Sequence, residues 1–263
     1  MGTDLSSDLL ERGHVSVVRQ GSIVTVTLDR PDARNAQTPA TWAALAAVGE
    51  SCADGETTLV VFRGSGSAFS AGLDRRMFTA EGIPGEASLA ALAAMDDDAM
   101  AGRIEEFQRA FLWQRDSPAL TVAAVHGPAI GAGFQLALAC DILLATPSAT
   151  FAMRETSYGL VPDLGGTQPL VRAVGYARAV DLCATGRTVA AEEGYALGFV
   201  TRVVSDLDVA LAEVITAVGS APRGAVADLL PLLSAAEDAG RADQARTERL
   251  AQVVRLRSLL GGG

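Results

Sequence analysis

The chain of 263 residues is long enough to bury one large core, and its net charge of −10 argues against a nucleic-acid groove or a polybasic membrane surface. All 21 basic residues are arginine, which excludes Schiff-base chemistry, pyridoxal-phosphate attachment and a Walker lysine. Three scattered cysteines and two histidines indicate neither a disulfide framework nor a metal site. Without a membrane-length apolar run or a signal peptide, we expect a cytoplasmic protein with no membrane or nucleic-acid partner.

The first elements are predicted to be two strands and a helix. Residues 15–19 and residues 23–28 alternate apolar and polar side chains on either side of a glycine turn, which predicts a β-hairpin. Residues 41–51 have helical composition, and Thr38 or Thr41 is the expected N-cap because its hydroxyl can accept from a free N–H group of the first turn.

Two further strands each run into a glycine-rich turn. Residues 59–63 (LVVFR) lead into residues 64–78, and residues 120–125 (LTVAAV) lead into residues 126–141 (HGPAIGAGFQLALACD). The second turn opens a helix, so free N–H groups and the positive end of the helix dipole face a carbonyl oxygen that approaches the backbone. This pattern predicts half of an oxyanion hole, with an ordinary structural turn as the alternative. The dinucleotide-binding fingerprint fails because Leu136 stands at its third glycine.

The remaining elements indicate an α/β fold that ends in helices. Residues 81–100 are low in complexity and are predicted to form a mobile, partly helical excursion. Segments of helical composition are residues 104–115, 168–174, 177–184, 209–218, 224–236 and 242–260, and extended segments are residues 142–145 and 150–153. Strand-to-helix units followed by helices predict a core over residues 1–204 and a C-terminal helical subdomain over residues 205–263.

Several blocks of sequence carry a resemblance to a known family. LDRPDARNA, AFSAGLD, HGPAIGAG and FAMRETSYGLVPDLGGTQ begin at residues 28, 68, 126 and 151, accompanied by ACDILLAT and ATGRTVAAEEGYALGFVTRVV. Together they resemble the enoyl-CoA hydratase/isomerase (crotonase) superfamily over about residues 15 to 204. Each motif alone is a weak signal, whereas their order and spacing make the resemblance specific.

The resemblance implies a crotonase-like spiral of ββα units, with C-terminal helices that assemble trimers or dimers of trimers. It also implies an acyl-CoA thioester substrate, with coenzyme A present only as part of that substrate and no metal or other cofactor. By position, the backbone N–H groups of Leu73 and Ala132 form the oxyanion hole that holds the thioester oxygen. Such donors stabilise an enolate, and one of them is worth roughly 100- to 1,000-fold in rate.

Three polar positions decide which reaction the resemblance implies. Hydratases of the family carry two glutamates, at positions that Gln135 and Glu155 occupy here, and an amide cannot exchange a proton at neutral pH. Asp163 stands where the family's isomerases place an acid and its dehalogenases a nucleophile. We therefore predict double-bond isomerisation by Glu155 and Asp163. The alternatives are a hydratase that uses Glu155 with water held by Gln135, and a non-catalytic acyl-CoA-binding protein.

Structural alternatives stand beside these functional predictions. Asp163 would otherwise cap a helix that starts at the next residue, and Glu155 would pair with Arg154 or another arginine. The acyl pocket is expected from residues 81–100 and 107–113, the least motif-like parts of the chain. The predicted coenzyme A contacts include arginines for the phosphates and residues of the first glycine turn: Arg30, Arg34, Ala71, Leu73, Asp74 and Arg75.

Overall fold

Two sheets organise the computed structural model, which describes residues 5–79, 81–222 and 224–260. The strands of this part of the chain are β1 (Val15–Gln20), β2 (Ile23–Leu28), β3 (Leu59–Gly64), β4 (Leu120–Val125), β5 (Pro128–Ile130), β6 (Ile142–Ala145), β7 (Thr150–Ala152), β8 (Val189–Ala190) and β9 (Arg202–Val203). The larger sheet has the order β1-β2-β3-β4-β6-β9, and the smaller one has the order β5-β7-β8. The predicted hairpin and the predicted buried strands are confirmed.

The register of the larger sheet brings the two glycine-rich turns together. β1 and β2 are antiparallel, and every later pair in this sheet is parallel. β3 and β4 are neighbours, with Leu59 opposite Leu120. The carboxyl ends of parallel neighbours lie at the same edge of a sheet, which is where ligands bind in open α/β folds. The turns that follow β3 and β4 therefore lie side by side.

Helices cover both faces of the larger sheet. In chain order they are α1 (Ser7–Gly13), α2 (Pro39–Cys52), α3 (Leu89–Ala93), α4 (Asp97–Asp116), α5 (Ala132–Ala139), α6 (Thr167–Val174), α7 (Tyr176–Thr185), α8 (Ala191–Leu197), α9 (Leu207–Ser220), α10 (Ala225–Ala236) and α11 (Arg241–Leu260). Thr38 caps α2 in a reciprocal capping box with Thr41, which confirms Thr38 as the N-cap, and the helix begins at Pro39, two residues before the predicted position 41.

The segment before α4 is partly helical, as its composition predicted. Residues 81–100 include α3 and the first turn of α4, which begins at Asp97. The carboxylate of Asp96 accepts from the N–H group of Ala99 at 2.8 Å and acts as the N-cap. Asp96, Asp97 and Asp98 are all exposed to solvent, and the helix that Asp96 caps begins several residues before the predicted position 104.

The C-terminal helices differ in how much they bury. Ala210, Leu211 and Val214 of α9 pack on the sheet against apolar residues of β3, β4 and β6. α10 and α11 contain no fully buried residue among those described, and Leu233 and Val254 are more than half exposed. In the described ranges no single helix is long and apolar enough to cross a membrane; α9 and α10 reach that length only together, across a bend of 105°.

Candidate active site

A cleft of about 1350 Å³ opens where the two glycine-rich turns meet. Backbone from both turns forms its floor, and α3, α4 and the loop before α6 form its walls. The predicted site residues on this cleft are Arg30, Arg34, Ala71, Leu73, Asp74, Arg75, Ala132, Gln135, Glu155 and Asp163. The fold therefore brings every one of the predicted site residues to one cavity.

A buried network of polar side chains shapes the first turn. Asn35 lies in the left-handed region, at φ 55°, and its amide donates to the carbonyls of Ser65 and Ala68 at 2.8 Å each. Ser70 donates through its hydroxyl to the Asn35 carbonyl at 2.8 Å and accepts from the N–H group of Gly72 at 3.2 Å. These bonds fix the path of the backbone up to the predicted oxyanion donor.

Strand pairing shapes the second turn. β5 pairs with β7, and the N–H group of Gly131 donates to the carbonyl of Ala152 at 2.8 Å. The N–H group of Ile130 donates to the carbonyl of Ser70 at 2.9 Å, which joins the second turn to the first. Gly131, at φ 52°, then turns the chain directly into α5, so Ala132 is the first residue of the helix.

Glycines let the two turns approach each other backbone to backbone. A Cβ atom on Gly72 would lie 2.5 Å from the carbonyl oxygen of Ile130 and 3.5 Å from the nitrogen of Ala132. A Cβ atom on Gly133 would lie 2.6 Å from the carbonyl oxygen of Ser70. Each turn thus excludes any larger residue from the other, and the two predicted donors are held at one point of the cleft.

The predicted oxyanion donors are both free to bind a ligand. Among the described residues, neither the N–H group of Leu73 nor that of Ala132 donates a hydrogen bond to another protein group. Ala132 stands at the N-terminus of α5, where the helix dipole adds a partial positive charge. Two unpaired N–H groups beside one cleft have the chemistry that a developing oxyanion requires.

Glu155 lies beside these donors on a short 3₁₀ turn, Glu155–Tyr158. Its Oε1 atom would be 3.3 Å from a Cβ atom on Gly131, so the carboxyl group lies over the second turn. Its Oε2 atom is buried and has no hydrogen-bond partner among the described residues. Burial raises the pKa of the Glu155 carboxyl, and the charge of Asp163 raises it further. The structure shows no ion pair of Glu155 with Arg154.

Asp163 lies on the loop that joins this turn to α6. The residue lines the cleft, and burial raises the pKa of its carboxyl group above its ordinary value. The alternative of a helix N-cap at Asp163 is wrong because α6 begins at Thr167 after Gly166. The carbonyl oxygen of Asp163 accepts from the side-chain amide of Gln108 on α4 at 2.6 Å.

Gln135 of α5 forms hydrogen bonds both to Glu155 and to the loop that follows Asp163. It is 1 % exposed, and its amide nitrogen donates to Oε1 of Glu155 at 2.7 Å. Its amide oxygen accepts from the N–H groups of Leu164 and Gly166 at 3.0 and 3.2 Å. Gln135 and Glu155 were predicted as members of one site, whereas Gln108 was missed because it belongs to no motif and lies within a helix.

Charged residues cluster around Asp74, which follows Leu73 in the first turn and lines the same cleft. Arg30 and Arg76 both pair with Asp74, so that carboxylate is surrounded by guanidinium groups. Burial alone would raise the pKa of Asp74, but hydrogen bonds from Arg76 and Arg30 hold it well below its usual range. Arg34 and Arg75 are exposed beside this cluster, where they can reach anionic groups of a ligand.

The third part of the cleft is apolar. Trp42 and Phe107 pack with ring centroids 4.8 Å apart, and Leu92, Met100 and Ile104 continue the same wall. The prediction that residues 81–100 contribute to the wall is confirmed, as is Phe107 of the predicted second segment. The described residues contain no group of three or more ligating side chains that could hold a metal ion.

Comparison with known sequences identifies the family. The sequence profile of the enoyl-CoA hydratase/isomerase family matches residues 18–250, which is most of the chain. The chain belongs to the enoyl-CoA hydratase/isomerase family. Its members are enzymes, and the crotonase-like fold implied by the sequence resemblance is confirmed by solved structures of this family.

Individual members of the family show how far the similarity reaches. A Thermobifida fusca YX protein assigned as an enoyl-CoA hydratase, crystallised with acetoacetyl-CoA, is 40% identical with a TM-score of 0.92, covering 97% of this chain and 99% of that one. A Rhodobacter capsulatus protein with the same assignment is 37% identical over 71% of this chain and 66% of its own length. A 4-chlorobenzoyl coenzyme A dehalogenase from Arthrobacter sp is 34% identical over 74% of this chain and 67% of its own.

Proposed function

We propose that the protein isomerises the double bond of an enoyl-CoA thioester, with Glu155 and Asp163 as the proton-transfer pair. The observation that carries this proposal is the direct hydrogen bond between Gln135 and Glu155, beside a second carboxyl group in the same cleft. Gln135 also binds the loop that follows Asp163, so its amide is committed to protein groups and is not available to hold a water molecule.

The free N–H groups of Leu73 and Ala132 would bind the thioester oxygen. The related Thermobifida fusca protein was crystallised with acetoacetyl-CoA and, separately, with CoA, which supports a thioester as the ligand of this cleft. The exposed guanidinium groups of Arg34 and Arg75 are placed to meet the phosphates, while Arg30 and Asp74 hold the adjoining turn. The apolar wall at Trp42 and Phe107 favours an uncharged hydrocarbon acyl group.

The reaction moves one proton between two carbons of the acyl chain. An ionised carboxylate removes a proton from C2 of a 3-enoyl thioester, and the electron pair delocalises onto the thioester oxygen, where two N–H groups stabilise it. A carboxyl group then returns a proton at C4, which gives the 2-enoyl isomer. Mutual repulsion favours one protonated and one ionised member in the pair of Glu155 and Asp163, as this exchange requires.

The hydratase alternative needs a water molecule that Gln135 holds for Glu155. In the structure the two side chains contact each other directly, and the amide oxygen of Gln135 already accepts two backbone N–H groups. This geometry supports isomerisation over hydration. The non-catalytic alternative leaves unexplained why two partly buried carboxyl groups line the same cleft as the oxyanion donors.

Two assays test the proposal. In calorimetry, we expect the protein to bind an enoyl-CoA far more tightly than the free acid, and equal affinities would contradict a thioester site. In single-turnover mass spectrometry with a 3-enoyl- and a 2-enoyl-CoA, we expect products of unchanged mass. A product heavier by one water would establish the hydratase alternative, and binding without any product would establish the non-catalytic one.

We also propose that the protein assembles as a trimer or a dimer of trimers through its C-terminal helices. The support is the set of exposed apolar side chains on α10 and α11, because a contiguous exposed apolar patch marks an interaction surface: Leu229, Leu233, Leu250, Val253, Val254 and Leu256. Sedimentation at micromolar concentration should give a trimer or hexamer, and a monomer would contradict the proposal.

The three cysteines are free thiols, which supports a reducing compartment such as the cytoplasm.

A further inference from the structure

The orientation of the Gln135 side chain is determined by its partners. Two backbone N–H groups, those of Leu164 and Gly166, point at one end of the amide, and such donors require an acceptor. That end must therefore be the oxygen. Rotating the amide by half a turn would place its NH₂ group against two donors and its oxygen against the carboxylate of Glu155, which is repulsive at both ends.

The fixed orientation makes Gln135 a permanent donor to Glu155. Its Nε2 atom lies 2.7 Å from Oε1 of Glu155, and an amide N–H group cannot accept a proton from that oxygen. Oε1 therefore remains an acceptor throughout a reaction. The other oxygen, Oε2, is buried and has no hydrogen-bond partner among the described residues, so it is the one left to exchange a proton.

The same side chain holds the loop that carries Asp163. The N–H groups that it binds belong to the first and third residues after Asp163, while Gln108 binds the carbonyl oxygen of Asp163 itself from the opposite side. Gly166 packs directly on the side chain, because a Cβ atom there would lie 2.6 Å from Cγ of Gln135. Two glutamines from different helices thus hold the peptide of Asp163.

We propose that Gln135 is the positioning residue of the site: it holds Oε1 of Glu155, leaves Oε2 to carry the exchanged proton, and fixes the loop that follows Asp163. This inference rests on the proposed function for its role in the reaction. The positioning itself is a property of the protein without substrate, and it can be measured separately.

The test compares three variants of the full-length protein. Gln135→Met keeps the size and apolar stem but removes both the donor and the acceptor. Gln135→Glu keeps an acceptor for the loop and replaces the donor with an oxygen. Gln114→Met makes the same exchange at a buried glutamine of α4 that lies outside the cleft, and serves as the matched control.

The readout is the titration of Glu155, followed by carbon NMR on protein labelled at the glutamate carboxyl carbon and assigned with Glu155→Gln. A hydrogen bond to the ionised form lowers the pKa of a carboxyl, so its loss in Gln135→Met should raise the pKa of Glu155 by about one unit. In Gln135→Glu the two carboxyl oxygens must share a proton, and the upper titration of the pair should lie higher still. In Gln114→Met the pKa of Glu155 should be the same as in the unaltered protein.

The kinetic readout follows the same groups. The acid limb of the pH profile of kcat should move to higher pH in both Gln135 variants by the shift that NMR records, with KM for the thioester nearly unchanged. A loss of kcat at every pH without movement of the limb would overturn the inference, since it would mean that Gln135 does not act through the carboxyl group of Glu155.

Failure of this inference is separable from failure of the proposed function. An unchanged titration of Glu155 in folded Gln135→Met overturns the inference, whatever reaction the protein catalyses. A shifted titration in a protein that converts no enoyl-CoA upholds the positioning and overturns the proposed function. If Gln135→Met does not fold, Gln135→Glu decides the question, because it retains the acceptor that the loop needs.

Discussion

The two sides of the cleft are built from different parts of the chain. On one side lie the backbone N–H groups of Leu73 and Ala132, fixed by contacts between main-chain atoms. On the other side lie the side-chain carboxyl groups of Glu155 and Asp163, which two glutamines hold in place. The functional groups of the donor side belong to the backbone, so no side-chain substitution removes them directly, whereas a single substitution removes a functional group from the carboxyl side. A fold of this design can keep its ligand class while its reaction changes.

The largest expected effect comes from the carboxyl side. Glu155→Gln removes a proton-transfer group and should lower turnover about 100- to 10,000-fold, or about 3–5 kcal/mol of barrier. The affinity for the thioester should remain, because the oxyanion donors belong to the backbone. Single-turnover rates and calorimetric affinities check this, with Glu213→Gln as the control at an exposed glutamate paired with Arg202. Equal losses of affinity and turnover would contradict the division between the two sides.

A smaller effect on stability should come from the donor side. Gly72→Ala and Gly21→Ala both place a side chain at positive φ, which costs about 1–2 kcal/mol in each case. A Cβ atom at Gly21 meets no atom within 4 Å, whereas one at Gly72 crowds the carbonyl of Ile130. Crowding of this kind adds about 1–3 kcal/mol. Chemical denaturation should therefore show the larger loss in Gly72→Ala, accompanied by weaker thioester binding, and equal losses would contradict the packing argument.

The smallest expected effect is on the free energy of unfolding, which should change in opposite directions when Asp163 and Asp74 are replaced. Burial raises the folded-state pKa of Asp163, so its charge costs stability above that pKa and nothing below its unfolded value of about 3.9. Asp163→Asn should thus raise the free energy of unfolding at neutral pH, with the gain disappearing in acid.

Asp74 should behave in the opposite way. Hydrogen bonds from Arg76 and Arg30 depress its folded-state pKa, so the ionised group stabilises the fold above about pH 4, and that contribution is lost as the pH falls through the folded value. Asp74→Asn should lower the free energy of unfolding at neutral pH. Denaturation curves of both variants at several pH values measure the two signs, and a common sign would contradict the contrast.

Much of the donor side could be predicted from the sequence because its signals are local. Glycines at fixed distances after two apolar runs predict tight turns at strand ends, and the helical composition after Ala132 predicts free N–H groups there. The family resemblance then identified Leu73 as the partner donor, far away in sequence. The structure places both N–H groups on one cleft, and their catalytic role stays a prediction.

The carboxyl side was less readable because its contacts join residues that are distant in sequence. The resemblance pointed to Gln135, Glu155 and Asp163, but nothing local shows that Gln135 donates to one carboxyl group and holds the loop of the other. Gln108 gave no signal at all, since a polar residue in an amphipathic helix usually faces solvent. The early start of α4 was missed for a similar reason: Asp96 heads an acidic run, in which a cap is indistinguishable from surface charge.

The use of arginine as the basic residue beside the cleft affects whether a bound thioester can acylate the protein. A thioester is an acylating agent, and an unprotonated lysine amine held beside one would be converted into an amide. Arg34 and Arg75 offer positive charge without that hazard, because a guanidinium group stays protonated and is a very poor nucleophile. Because the whole sequence contains no lysine, it offers no side-chain amine that a bound thioester could acylate.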